Sequence, residues 1–198
     1  VDMGIAGAPM PGVRDCRIAA GTADFTKGPA MTRAEAVEAI GRGIALTRQL
    51  AAEGYGLVAT GEMSIGNTTT SSAVAAVLLA QPVQTMTGRG AGLSDAGLAR
   101  KVDTIRRGIA CNVPKPDDVL DVLGKLGGFI SGVAALCAVR LCPAAAKAIF
   151  ASHCSTEPAA RLVLEALGKT PLLTAGLHLG EGTGAVASIP LWDMALAV

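Results

Sequence analysis

Gly61-Glu62-Met63-Ser64-Ile65-Gly66-Asn67-Thr68-Thr69 follows the apolar run Leu57-Val58-Ala59-Thr60 and precedes a run of small residues with helical character. A glycine-bearing loop between a strand and a helix aims successive backbone N–H groups, and the positive end of the helix dipole, at a bound anion. The spacing Gly61-x4-Gly66 imitates the loop that cradles nucleoside triphosphates, yet Asn67 stands where that loop needs a lysine to reach the terminal phosphates. A single phosphate monoester fits better, with its cation brought from elsewhere in the chain.

Working outward, Thr32-Arg33-Ala34-Glu35 is a capping box that opens a helix to about Glu53, and Gly54 stops it before a strand at 56–60. After the 61–66 loop come a helix at 67–80, an apolar strand candidate near 83–87, and the loop Gly88-Arg89-Gly90-Ala91-Gly92. A helix from Ser94 to about Ala110 follows, ended by Pro114 and Pro116. Further helices are expected at 117–126, 130–141 and 143–151, and from Ser155-Thr156-Glu157-Pro158 to Leu167, with no strand signal between Leu120 and Phe150. The apolar run Pro171–Ala175 leads into Gly180-Glu181-Gly182-Thr183-Gly184 and a closing helix. This alternation predicts an α/β fold, a three-layer Rossmann-like parallel sheet flanked by helices, as one domain over residues 1–198.

The charge balance, 17 basic against 16 acidic residues for a net +1, creates no long-range field for nucleic acid or an anionic membrane. The hydrophobic fraction is 51% but aromatics are only 3%, so elements must pack closely through Ala, Val and Leu. The longest apolar run, 129–139, is well short of the ~20 residues of a membrane span. Five cysteines without a Cys-x-x-Cys pair argue against a disulfide framework or zinc site, and His153 and His178 lack metal spacing. A cytoplasmic protein without metal or other cofactor is the expectation. The start at Val1, with no signal-peptide pattern, reads as truncated or processed.

Three glycine loops, each after a strand candidate, should fall at one carboxyl edge of a parallel sheet, where open α/β folds bind ligands. One such loop is more often plain turn geometry; three together argue convergence. Gly88-x-Gly-x-Gly92 departs from the dinucleotide fingerprint at Leu93, so Gly88 and Gly90 serve close backbone approach to a ligand instead. Lys101 is available as the missing cation, although on spacing alone a helical lysine reads as solvated surface. Glu181, flanked by glycines, is the candidate general base, against the bland alternative of a helix N-terminal acid; Glu62 carries the same ambiguity. Asp117-Asp118 is similar to the acidic pair of diphosphate-dependent phosphoribosyltransferases, but no hydroxyl-rich phosphate loop follows it.

Taken in order, Gly61–Thr69, Gly88-Arg89-Gly90, Lys101, Ser152-His153-Cys154-Ser155-Thr156-Glu157 and Leu179-Gly180-Glu181-Gly182-Thr183-Gly184-Ala185 resemble the signatures of the nicotinate-nucleotide-dimethylbenzimidazole phosphoribosyltransferases over nearly the whole chain. The resemblance implies transfer of phosphoribose from nicotinate mononucleotide to a benzimidazole-type base in a homodimer. It implies Glu181 as general base, and Ser64, Gly66, Asn67, Thr68, Gly88, Gly90 and Lys101 around the nucleotide phosphate. Glu62 and Ser155 would line the ribose and base region, and Leu179, Gly180 and Gly182 would contact the base. Departures are Ser64 where glycine is commonest, Ala91 where threonine is usual and His178 where arginine is usual. The N-terminus is short against the family, and at Gly127-Gly128-Phe129-Ile130 about one helix and one strand are missing. Those gaps leave a second expectation, a relative that binds a nucleotide or aromatic base without turning it over.

Overall fold

The computed structural model describes residues 1–63, 66–128 and 130–197. Its helices are α1 (Arg33–Ala52), α2 (Asn67–Leu78), α3 (Val83–Met86), α4 (Asp95–Asn112), α5 (Val119–Leu126), α6 (Ser131–Leu141), α7 (Ala159–Leu167) and α8 (Thr183–Leu196), with a 3-10 segment at Pro143–Ala148. The capping box of α1 forms as read: Thr32 accepts from the Glu35 N–H, and the Glu35 side chain accepts from the Thr32 N–H at 2.7 Å. Ser94 caps α4 by accepting from the Gly97 N–H.

Helix α2 is the centre of the core. Ala73, Val74 and Ala75 are wholly buried, and side chains this small let α4, α5, α6 and α7 approach its axis. Against it α5 turns an apolar face of Val119, Val122, Leu123 and Leu126, while α4 contributes Val102 and Ile105. Fully burying one such aliphatic side chain is worth about 1.5–3 kcal/mol. The N-terminal region is tied to α4 through Asn112, whose Nδ2 donates to the carbonyls of Phe25 and Gly108 at 2.6 and 2.9 Å.

The sheet departs from expectation. Residues 151–156 and 172–177 do run parallel: Leu172 and Leu173 donate N–H to the carbonyls of Ala151 and Ser152, and Cys154 and Thr156 donate to Leu173 and Leu177. Residues 56–60 are not helical, but among the described residues they make no backbone–backbone hydrogen bond, and Leu57 and Val58 are 46% and 49% exposed. A parallel strand exists only through its neighbours' ladders, and no described residue forms a ladder with this segment. The strand candidate at 83–87 is instead the single helical turn α3. Pro82 presets the turn, its carbonyl accepts from the Thr85 and Met86 N–H groups, and the Thr87 hydroxyl donates to the Val83 carbonyl. The helices form as expected, while among the described residues regular pairing is confined to two isolated parallel bridges, Asp2 with Asp15 and His153 with Leu173. No described helix is long and apolar enough to cross a membrane.

Candidate functional site

The glycine loops meet in pairs. Gly61 lies so close to the 181–182 backbone that a Cβ on it would fall 2.6 Å from Gly182 N and 2.8 Å from the Glu181 carbonyl carbon. The loop before α2 therefore abuts the loop before α8 backbone to backbone. Both helices begin alike, with a left-handed glycine at the N-cap, Gly66 at φ 91° and Gly182 at φ 85°, and no side-chain cap on either. Two helix starts keep N–H groups for a ligand on neighbouring loops.

The second pairing is built around Lys101, which is 6% exposed rather than a surface residue. Its Nζ donates to Thr68 Oγ1 at 2.9 Å and to the Gly88 carbonyl at 2.8 Å, joining the first turn of α2 to the 88–90 loop. Gly90, at φ +55°, packs where a Cβ would sit 3.0 Å from Thr68 Oγ1 and 3.7 Å from Nζ. Burial pulls the Lys101 ammonium below its ordinary pKa, and the carboxylate of Glu157 partly opposes that shift. Glu157 carried no role in the sequence reading, because its value lies in a contact across the fold: a Cβ on Gly88 would fall 1.8 Å from Glu157 Oε2 and 2.7 Å from Pro158 Cδ. Since the proline ring has little freedom to yield, Gly88→Ala is expected to lower stability by about 1–3 kcal/mol in a urea titration.

Glu181 sits in the left-handed region at φ 56°, between Gly180 at φ 81° and Gly182 at φ 85°. Three such residues in a row turn the chain sharply, and the Gly180 carbonyl accepts from both the N–H and the hydroxyl of Thr183. Glu181 lines a cavity of about 1910 Å³ together with Gly61, Glu62, Gly66, Asn67 and Gly182. Thr68, Gly88, Gly90 and Lys101, expected around the same ligand, do not line that cavity; Lys101 is linked to it through Thr68, the neighbour of the lining residue Asn67. Ser155 is half-buried next to Glu157, whose N–H it accepts at 3.3 Å. Leu179 is 73% exposed, and neither it nor Gly180 is on the cavity wall. Ser64 lies outside the described residues.

His153 is a further residue that spacing gave no reason to place here. Its ring packs on the first turn of α8, where a Cβ on Gly184 would fall 2.1 Å from Nδ1, and Nδ1 is 3.0 Å from Ser152 Oγ. Burial lowers its pKa below 6.5. The neutral ring's contribution is therefore complete above pH 6.5 and lost as pH falls through the lowered folded value. The denaturation midpoint should fall with acid in that window, and His153→Asn should flatten the dependence.

A buried lysine thus joins the first turn of α2 to the 88–90 loop, and two uncapped helix starts border a carboxylate-bearing cavity, an arrangement chemically suited to an anion. The phosphoribosyltransferase family model DBI_PRT matches residues 1–129 and 128–198. The chain is 42% identical to the nicotinate-nucleotide–dimethylbenzimidazole phosphoribosyltransferase of Desulforamulus reducens, covering 100% of this chain and 64% of that protein. It is 43% identical to the one from Acetivibrio thermocellus, covering 94% and 60%. CobT from Thermus thermophilus superposes with a TM-score of 0.91 at 37% identity, covering 98% of this chain and 66% of that one. The chain belongs to the nicotinate-nucleotide–dimethylbenzimidazole phosphoribosyltransferase family, and it spans under two thirds of the length of these relatives.

Proposed function

We propose that this protein transfers the phosphoribosyl group of nicotinate mononucleotide to 5,6-dimethylbenzimidazole, giving α-ribazole 5'-phosphate and nicotinate. The observation that carries this reading is Lys101, buried and bonded to both Thr68 and Gly88 behind the uncapped start of α2, with Glu181 on the same cavity wall as Gly66 and Asn67. The N–H groups at Gly66, Asn67 and Thr68 would receive the phosphate, with the Lys101 ammonium supplying the cation that the loop itself lacks. Glu62 and Ser155 would hold the ribose side, and the 179–182 loop the incoming base.

In the substrate the pyridinium ring is cationic on its anomeric carbon, so breaking that C–N bond neutralises the ring and releases nicotinate. One benzimidazole nitrogen forms the new bond from the opposite face, and the proton of the other nitrogen passes to the Glu181 carboxylate. The protein's main task is to align two rings across one carbon, an orientation effect that can be worth ~7–11 kcal/mol. The working enzyme on this reading is a cytoplasmic homodimer of single-domain chains with a complete parallel sheet, and it needs neither nucleic acid nor cofactor.

Incubation of the 198-residue chain with nicotinate mononucleotide and dimethylbenzimidazole should release nicotinate and α-ribazole phosphate in equal amounts. A second reading, a relative that binds nucleotide or aromatic base without turnover, is favoured by the unpaired segment 56–60 directly before the phosphate loop. Calorimetric nucleotide binding with no release of nicotinate would select it.

A further inference from the structure

Ligand pockets commonly measure about 300–1,000 Å³, whereas the cavity beside Glu181 measures about 1910 Å³, and its wall includes Ala59 and Gly128. Of residues 55–60 only Ala59 is on that wall; residues 56–60 make no backbone–backbone hydrogen bond among the described residues, and Tyr55, Leu57 and Val58 are 60%, 46% and 49% exposed. An unpaired edge is a template for another strand, and adjacent apolar side chains, which point to opposite faces, suit a strand buried on both.

The family match breaks at residues 128–129, and the alignment to the Desulforamulus reducens relative runs over 223 positions against 198 residues, so 25 positions have no counterpart in this chain. After the break, the Ile130 N–H donates to Ser71 Oγ on α2 at 2.8 Å. A segment inserted at the break would leave from the cavity wall at Gly128 and return beside the helix that the 61–66 loop enters.

We propose that residues 55–60 and the cavity wall at Gly128 form a strand acceptor. Its occupant is an extended polypeptide segment with apolar side chains on both faces, the segment that the relatives carry at the 128–129 break, supplied in trans. Main-chain pairing provides affinity, and the cover over Leu57 and Val58 provides selectivity. The proposal goes beyond the transferase reading, and its binding test uses no turnover.

The probe is a synthetic peptide of the residues, at most 25, that the Desulforamulus reducens protein carries at the break after residue 128, added to the full chain. Calorimetry is expected to give one peptide per chain with micromolar Kd, and amide exchange at 56–60 to slow upon binding. A scrambled peptide, and the Val58→Pro variant with the native peptide, should each bind at least about tenfold more weakly. Val58 is exposed and unpaired among the described residues, so circular dichroism should be unchanged by the substitution. Equal binding of the scrambled peptide, protection only outside 56–60, or full affinity in Val58→Pro overturns the proposal. So does a chain that self-associates through 56–60 and refuses the peptide, an outcome that assigns the edge to a second copy. Peptide binding without any nicotinate release sinks the transferase reading alone, and release without peptide binding sinks the acceptor alone.

Discussion

With Glu181 as the proposed base, Glu181→Gln should lower nicotinate release by about 10²- to 10⁴-fold, with the KM for nicotinate mononucleotide little changed. Glutamine keeps the size and hydrogen-bonding reach of the side chain but has no basic oxygen to take the benzimidazole proton. That transfer belongs to the transition state, so kcat and kcat/KM should fall together. Glu181→Gly separates chemistry from backbone. At φ 56° any residue with a Cβ is strained by about 1–3 kcal/mol, and glycine relieves the strain while adding unfolded-state freedom worth roughly 0.5–1 kcal/mol. The glycine variant should therefore lose turnover as fully as the glutamine one while unfolding at an equal or higher temperature. That pair of results, strain relieved and turnover lost, would be the pattern of a residue held for function. Full-rate release by the glutamine variant would reject Glu181 as the base, and a less stable glycine variant would reject the strain.

How far the site was legible follows from the range of each interaction. The loops at 61–66 and 180–184 announce themselves because left-handed backbone at Gly66 and Gly182 demands glycine, and that demand is local. The capping box at Thr32 is likewise complete within four residues. Lys101 was misjudged because its burial depends on Thr68 and Gly88, and no spacing within α4 encodes a contact of that sequence separation. Glu157 escaped for the same reason, meeting Gly88 on a distant loop, whereas His153, read as a structural residue and not a metal ligand, packs on Gly184 beside Ser152. The run at 83–87 misled through composition: it is as apolar as a strand, but Pro82 and the Thr87 hydroxyl close a helical turn instead. At 56–60 the composition is that of a strand, yet strand pairing is a property of neighbours, and no described residue pairs with this segment.

Lys101→Met should weaken nicotinate mononucleotide binding by about 10- to 100-fold, the worth of a hydrogen bond to a charged group, without unfolding the protein. Methionine matches the length of the stem and suits a site that is 6% exposed, so the loss is confined to the ammonium and its bonds to Thr68 and Gly88. The pH dependence tests the charge itself. Because burial holds the Lys101 pKa below 10.5, the unfolded chain binds more protons than the folded one between the lowered value and 10.5. Stability contributed by this group therefore rises with pH through that window and is reduced below it, while nucleotide affinity is lost as pH climbs through the same lowered value. In Lys101→Met both dependences should flatten. Glu157→Gln offers the complementary shift: with its carboxylate gone, the factor that raises the Lys101 pKa disappears, and the alkaline loss of affinity should begin at lower pH with neutral-pH binding retained. An affinity profile that ignores Glu157, or a methionine variant that binds the nucleotide as tightly as the parent, would show that the ammonium serves only to fasten the two loops together.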